Sequence, residues 1–275
     1  MNMDNRSIGV FDSGLGGLTA VREIMARLPH ENIVYFGDTG GVPYVPKAAD
    51  TIIKYSHQDI RFLESFGVKM IVIACGTVSS VALPVLRGMY QTPLIGVIDA
   101  TAAAAAYASR NKKIGIIGTQ GTIKSQAYER ALETIDSEIQ TYSVACPLFV
   151  PLVENGHIDT QVTRLVAEEY LADLRKENID ALILGCTHYP HLKKVIAETM
   201  GNCVELIDPG AEVAKFLERE LAQKGLHSDA VDPEQYRYFV SDTAEGFEEL
   251  GSLFLHRDIR GKVKKIDIEK YEEKC

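Results

Sequence analysis

The chain has no long uninterrupted apolar run, little cysteine and no surplus of basic charge, and each shortage removes a class of protein. Its opening residues, MNMDNRSIGVF, contain no apolar stretch of signal-peptide length. The longest apolar run, the alanine-rich piece around Ala102–Ala106, is too short and too closely flanked by polar residues to span a bilayer. No membrane association is expected, and the compartment expected is the cytoplasm. Five cysteines (Cys75, Cys146, Cys186, Cys203, Cys275) are an odd number and widely spaced, which suits reduced cytoplasmic thiols and not a disulfide framework. The net charge of −9 is spread through the sequence, so nucleic acid is not an expected partner. What is present is an ordinary globular balance, 46% hydrophobic and 24% charged. A length of 275 residues allows one large or two medium domains and a sizeable core.

Short runs rich in Val and Ile recur through the chain: Ile8–Phe11, Ile33–Phe36, Met70–Ala74, Leu94–Val97, Ile114–Ile117, Ile139–Val144, Ala181–Leu184, Val204–Ile207 and Tyr236–Val240. Mostly continuous apolar runs of this length predict strands covered on both faces. Between them, Leu18–Leu28, Thr51–Phe66, Thr160–Lys176 and Ala211–Gln223 carry apolar residues at helical spacing. Gly67, Gly201 and Gly225 follow helix-like stretches where a left-handed residue is wanted. The alternation predicts an α/β protein with open parallel sheets.

A weak internal repeat sharpens the picture. MIVIACGTVSSVALPVL resembles ALILGCTHYPHLKKVI, with the two cysteines 111 residues apart, and IGVFDSGLGGLTAVRE resembles IGIIGTQGTIKSQAYE at almost the same offset. Two similar half-domains facing each other would account for both matches. Cys75 and Cys186 each end an apolar strand, the place where open parallel sheets carry ligands. Taken singly, either cysteine reads as a buried free thiol. As a pair facing one pocket, they could remove a proton from one face of a carbon and return one to the other. Such a pair inverts a stereocentre without metal or pyridoxal, so no cofactor is expected. A thiol pKa of ~8.5 lies close enough to neutrality for one to serve as thiolate and the other as thiol.

His188 stands two residues after Cys186 and could act as base or favour the thiolate. Cys186, His188 and His191 also spell Cys-x-His-x-x-His, so a zinc site is a rival reading. Asp12-Ser13-Gly14-Leu15-Gly16-Gly17 opens a helix after the first strand. It is neither a Walker motif nor a dinucleotide fingerprint, and its N–H groups suit the carboxylate of a small substrate better than a phosphate. Those glycines could equally serve only to permit a tight turn.

Over nearly its whole length the chain resembles the aspartate/glutamate racemase superfamily, and its glutamate-specific members in particular. The segments carrying the resemblance are Gly9–Gly17 (GVFDSGLGG), Phe36–Tyr44 (FGDTGGVPY), Ile73–Thr77 (IACGT), Ile117–Thr122 (IGTQGT), Pro151–Glu154 (PLVE) and Leu184–Pro190 (LGCTHYP). The resemblance implies interconversion of L- and D-glutamate for peptidoglycan synthesis, two α/β domains with the site between them, and a homodimer. It implies that residues 1–97 and 209–275 pack as one domain and 98–208 as the other. Cys75 would take the α-proton of the D isomer and Cys186 that of the L isomer, assisted by Asp12 and His188 respectively, with Glu154 as a further helper. Asp12, Ser13, Tyr44, Thr77, Thr119, Thr122 and Thr187 would hold the substrate, with Pro43, Val45 and Gly76 beside them.

Two positions depart from the family pattern. Gly76 stands where Asn is usual, and Val45 where Gly follows Pro-Tyr. If water replaces the missing amide, Gly76→Asn should change turnover by less than about tenfold. These departures leave aspartate or another acidic amino acid open as the substrate.

Overall fold

The computed structural model describes residues 4–40, 48–229 and 236–272. Its ten strands are β1 (Ile8–Asp12), β2 (Ile33–Gly37), β3 (Met70–Ile73), β4 (Leu94–Gly96), β5 (Lys113–Gly118), β6 (Gln140–Ala145), β7 (Ala181–Gly185), β8 (Glu205–Ile207), β9 (Arg237–Val240) and β10 (Val263–Lys265). They form two sheets, six strands in the order β10-β9-β2-β1-β3-β4 and four in the order β6-β5-β7-β8. Every pairing is parallel. The fold is α/β with two open parallel sheets, as the alternation of strands and helices predicts.

The internal repeat is visible in the topology. The order β2-β1-β3-β4 recurs as β6-β5-β7-β8, and β9 and β10 extend only the first sheet. Each repeat therefore has one strand, β1 or β5, whose two neighbours lie on opposite sides and run to it through opposite crossovers. In open α/β sheets that reversal leaves a crevice at the carboxyl ends of the strands. Asp12 ends β1 and Cys75 follows β3 at one crevice, and Thr119 and Cys186 follow β5 and β7 at the other.

The central strands read as continuous apolar runs because helices cover both of their faces: all of β1, β3 and β7 is buried. The edges differ. Strand β6 is mostly half-buried or exposed, and β10 is a three-residue strand with two exposed lysines. Short, charged edges discourage pairing with other chains, and the same features hide β10 from a search for apolar runs. Helix ends follow local chemistry. Asp208 accepts the Gly210 N–H ahead of Pro209, opening the helix Pro209–Lys224, and Gly225 closes it with φ 63°. Gly67 also has a positive φ, 63°, whereas Gly201 combines φ 88° with an extended ψ of 165°.

One buried ion pair ties the first sheet to the chain that returns to it. Lys69, just before β3, has its side chain fully buried and lies 2.6 Å from the equally enclosed Glu31. Its ammonium also donates to the carbonyls of Asp4 and Leu226, both at 2.7 Å. The Ser228 N–H donates to the other Glu31 oxygen at 2.9 Å. A single ammonium thus fastens the start of the chain, the approach to β3 and the segment leaving Pro209–Lys224. Removing one partner of such a pair strands the other charge in a poor dielectric. Glu31→Gln is expected to cost about 3–5 kcal/mol and lower the thermal midpoint by roughly 10 °C, checked by calorimetry.

Candidate active site

A cavity of about 670 Å³ lies between the carboxyl ends of the two sheets, with Cys75 and Cys186 both on its wall. Each thiol is nearly enclosed, 6% and 7% exposed. Asp12, Ser13, Gly76, Thr77, Thr119, Glu154, Thr187 and His188 line the same space. Thr122 stands one layer behind, its hydroxyl 3.1 Å from that of Thr119 and 3.4 Å from that of Thr77. Thr77 and Thr119, one from each sheet's crevice, meet directly at 2.9 Å. Pro43, Tyr44 and Val45 lie outside the described residues, as does Lys47 beside them.

The turn after β1 is shaped by its own side chains. Asp12 Oδ2 accepts the Gly14 N–H at 3.1 Å, and the buried Tyr35 hydroxyl donates to the Gly14 carbonyl at 2.6 Å. The neighbour that reaches Cys75 is Ser13, with Oγ 3.5 Å from Sγ. Asp12 influences the thiol through its charge. Burial, then the Asp12 carboxylate, pushes the Cys75 thiol up to about 12, against the opposing pull of the Ser13 hydroxyl. Burial likewise raises Asp12, opposed by the His188 charge and by the N–H groups of Gly17 and Gly14. The Cys75 thiol therefore keeps its proton at neutral pH.

The other side is arranged oppositely. His188 Nδ1 lies 3.9 Å from Cys186 Sγ, and Nε2 lies 3.0 Å from Glu154 Oε1. Burial works against the imidazolium, but the bonds to Cys186 and Glu154 outweigh it and hold His188 up at about 10. One half of the site is thus poised to give a proton, and the other holds a cation beside its sulfur.

His191 does not join this group. Its ring packs on Phe254 with centroids 3.9 Å apart, and burial followed by the Arg22 charge lowers it to about 4. The Cys186–His188–His191 zinc set is therefore not assembled. Among the described residues no three His, Cys, Asp or Glu side chains are grouped to hold a metal ion.

Part of the cavity wall escapes the sequence motifs. Thr39, Asp242, Thr243, Phe247 and Leu250 face the space. They arrive because β9 pairs with β2: Ser241 donates to Asp38 at 2.7 Å, and the Asp242 N–H donates to the Thr39 hydroxyl at 3.0 Å. The helix Glu245–Leu255 then lies against the cleft. Its only signal in the sequence is the spacing of Phe247, Leu250 and Phe254, which marks an apolar helix face without saying what that face covers.

Gly76 proves tighter than a missing amide would suggest. A Cβ built there would lie 2.5 Å from the Gly185 carbonyl oxygen, a backbone atom at the end of β7. Gly76→Asn must therefore displace one strand end against the other, and a shift of that kind can cost on the order of a hundredfold in rate. A loss beyond tenfold in turnover is now expected, in place of the smaller change that a water-for-amide exchange predicts.

The His188 value has a further consequence. Lying above the ordinary ~6.5, it contributes stability that is full below that pH and lost as pH rises toward 10. Glu154→Gln should bring the His188 titration, followed by imidazole NMR, down from about 10 and move that loss to lower pH.

The family model for Asp/Glu/Hydantoin racemase matches residues 19–247. A glutamate racemase of Geobacter metallireducens is 42% identical over 268 residues, spanning 98% of this chain and 99% of that protein. One from Chlorobium phaeobacteroides is 46% identical over 253 residues, 92% of this chain and 93% of its own. Among solved structures, a glutamate racemase isoform from Bacillus anthracis superposes with a TM-score of 0.92 at 38% identity, covering 96% of this chain and 98% of that one. The glutamate racemase of Francisella tularensis in complex with D-glutamate gives 0.90 at 38% identity, covering 98% and 100%.

Proposed function

The chain belongs to the Asp/Glu/Hydantoin racemase family, and we propose that it interconverts L- and D-glutamate with Cys75 and Cys186 as the two acid/base groups. The observation that carries this reading is the placement of the two thiols on the wall of one cavity, at corresponding strand ends of two sheets with the same strand order.

In the L-to-D direction, Cys186 as thiolate takes the α-proton, and the electron pair of the C–H bond passes to the α-carbon. The carbanion then takes the proton of the Cys75 thiol from the opposite face, leaving that sulfur as thiolate. Reversal runs the same steps with the roles exchanged. His188 supports the first step, since a cation beside Cys186 favours the thiolate, and Glu154 orients the imidazole. On the other side, Ser13 touches Cys75 and Asp12 sets its electrostatic surroundings. The hydroxyls of Ser13, Thr77, Thr119 and Thr187 are donors suited to the substrate carboxylates, with Thr122 supporting two of them. Gly76 keeps the strand ends close, and Pro43, Tyr44 and Val45 complete the substrate site in this reading.

The reading includes residues 1–97 with 209–275 as one lobe and 98–208 as the other, a homodimer, and a cytoplasmic role supplying D-glutamate for peptidoglycan. Similarity over nearly the whole chain supports it. Among the described residues no helix is long and apolar enough to cross a membrane. Metal and pyridoxal are not required, because the two thiols perform both proton transfers.

The deciding experiment incubates the protein with L-glutamate in deuterated water and follows optical rotation and α-deuterium together. Early D-glutamate is expected to carry deuterium, while residual L-glutamate carries little. Cys75→Ala and Cys186→Ala should each abolish net racemisation, with any α-exchange confined to the L form in the first and the D form in the second. Near wild-type racemisation by Cys186→Ala would defeat the two-thiol assignment, and preferential turnover of L-aspartate would move the substrate.

A further inference from the structure

Adjacent glycines at a strand-to-helix turn are ordinarily there for backbone conformation, yet Gly16 and Gly17 do not need it. Neither has a positive φ, and Gly17 is right-handed helical at φ −59°, ψ −16°. What they provide is space. A Cβ on Gly17 would meet Asp12 Cβ at 2.4 Å and the Tyr35 hydroxyl at 2.9 Å. A Cβ on Gly16 points across the seam between the sheets, where it would lie 2.1 Å from Thr187 Oγ1, 2.6 Å from His188 Nδ1 and 2.7 Å from His188 Cε1. Nδ1 is the ring atom that faces the Cys186 sulfur.

We infer that Gly16 is a positioning residue for His188, its lack of a side chain being what lets the imidazole stand beside Cys186. The inference rests on the proposed role of His188 as helper to that thiol. The ring has little room to evade a methyl group. Glu154 holds Nε2, and Phe254 meets the ring edge-to-face with centroids 5.8 Å apart at 83°. The backbone beneath is fastened too, because Thr19 Oγ1 donates to the Thr187 carbonyl at 2.9 Å. Nor can the helix Leu18–Arg27 easily withdraw: Gly210, on the neighbouring helix, already sits so close that a Cβ there would be 3.1 Å from Ala20 Cα. A methyl on Gly16 therefore moves Thr187 and swings the imidazole off the line to the Cys186 sulfur.

The test labels the substrate-free protein with iodoacetamide and measures the rates at Cys75 and Cys186 separately by peptide mass spectrometry. Gly16→Ala is expected to lower the Cys186 rate relative to Cys75 by at least about threefold, because the thiolate loses its cation. In a His188→Asn background, Gly16→Ala should have no further effect, a coupling that general loosening of the fold would not produce. An unchanged rate ratio in Gly16→Ala, or an additional fall in the His188→Asn background, overturns the inference. If Gly16→Ala alone fails to fold, the triple variant Gly16→Ala/Thr187→Ala/His188→Ala should recover a cooperative melt, and failure of that rescue also overturns it. Labelling requires no turnover, so a wild-type protein inert toward glutamate would defeat the proposed reaction without affecting this comparison.

Discussion

Everything in this molecule depends on bringing two carboxyl ends of parallel sheet close together without filling the gap between them. The approach is made where there are no side chains to obstruct it. Gly76 abuts the Gly185 carbonyl, and Gly16 abuts Thr187 and His188. Hydroxyls then bridge what the glycines leave open, Thr77 to Thr119 on one flank and Thr19 to the Thr187 carbonyl on the other. Interiors packed at crystal-like density transmit even a methylene's worth of misfit. The approach of the two halves is therefore limited by backbone at Gly76 and by side chains at Gly16.

Burial does opposite things on the two sides of the cavity. Around Cys75 the Ser13 hydroxyl and the Val78 N–H offset only part of the loss of water, and the nearby Asp12 adds negative charge, so the thiol holds its proton. Beside Cys186 stands an imidazole tied to a carboxylate, and its bonds to Cys186 and Glu154 hold it up at about 10 despite burial. Equal side chains at equivalent strand ends thus have unlike neighbours, a carboxylate and a hydroxyl at one and an imidazolium at the other. The asymmetry comes from Asp12 at the end of β1 with Ser13 after it, and from His188 after β7 with Glu154 at the end of the helix ahead of Gln161–Lys176.

The chain's return to the first sheet gives the cleft its remaining wall. Strand β9 pairs beside β2, and the helix Glu245–Leu255 that follows turns Phe247 and Leu250 toward the cavity and Phe254 toward His188 and His191. The buried Lys69–Glu31 pair secures the segment that makes this return possible. A residue near the end of the chain thereby helps fix a ring near its middle.

Sequence alone determined the α/β class, nine of the ten strands among the described residues, the repeat, and the position of Cys75, Cys186 and His188 just beyond strand ends. Each of these is written in local pattern: apolar runs of strand length, a doubled motif, and chemistry-bearing residues immediately after a strand. Strand β10 was not legible because a short lysine-bearing edge has no apolar period to detect. The tertiary structure decided that Ser13 reaches Cys75, that His191 packs against Phe254, and that the helix Glu245–Leu255 lies against the site. It also decided that Gly16 and Gly76 serve as points of contact. Those facts depend on which atoms from distant parts of the chain share a few ångströms of space, and no spacing along a sequence encodes that distance.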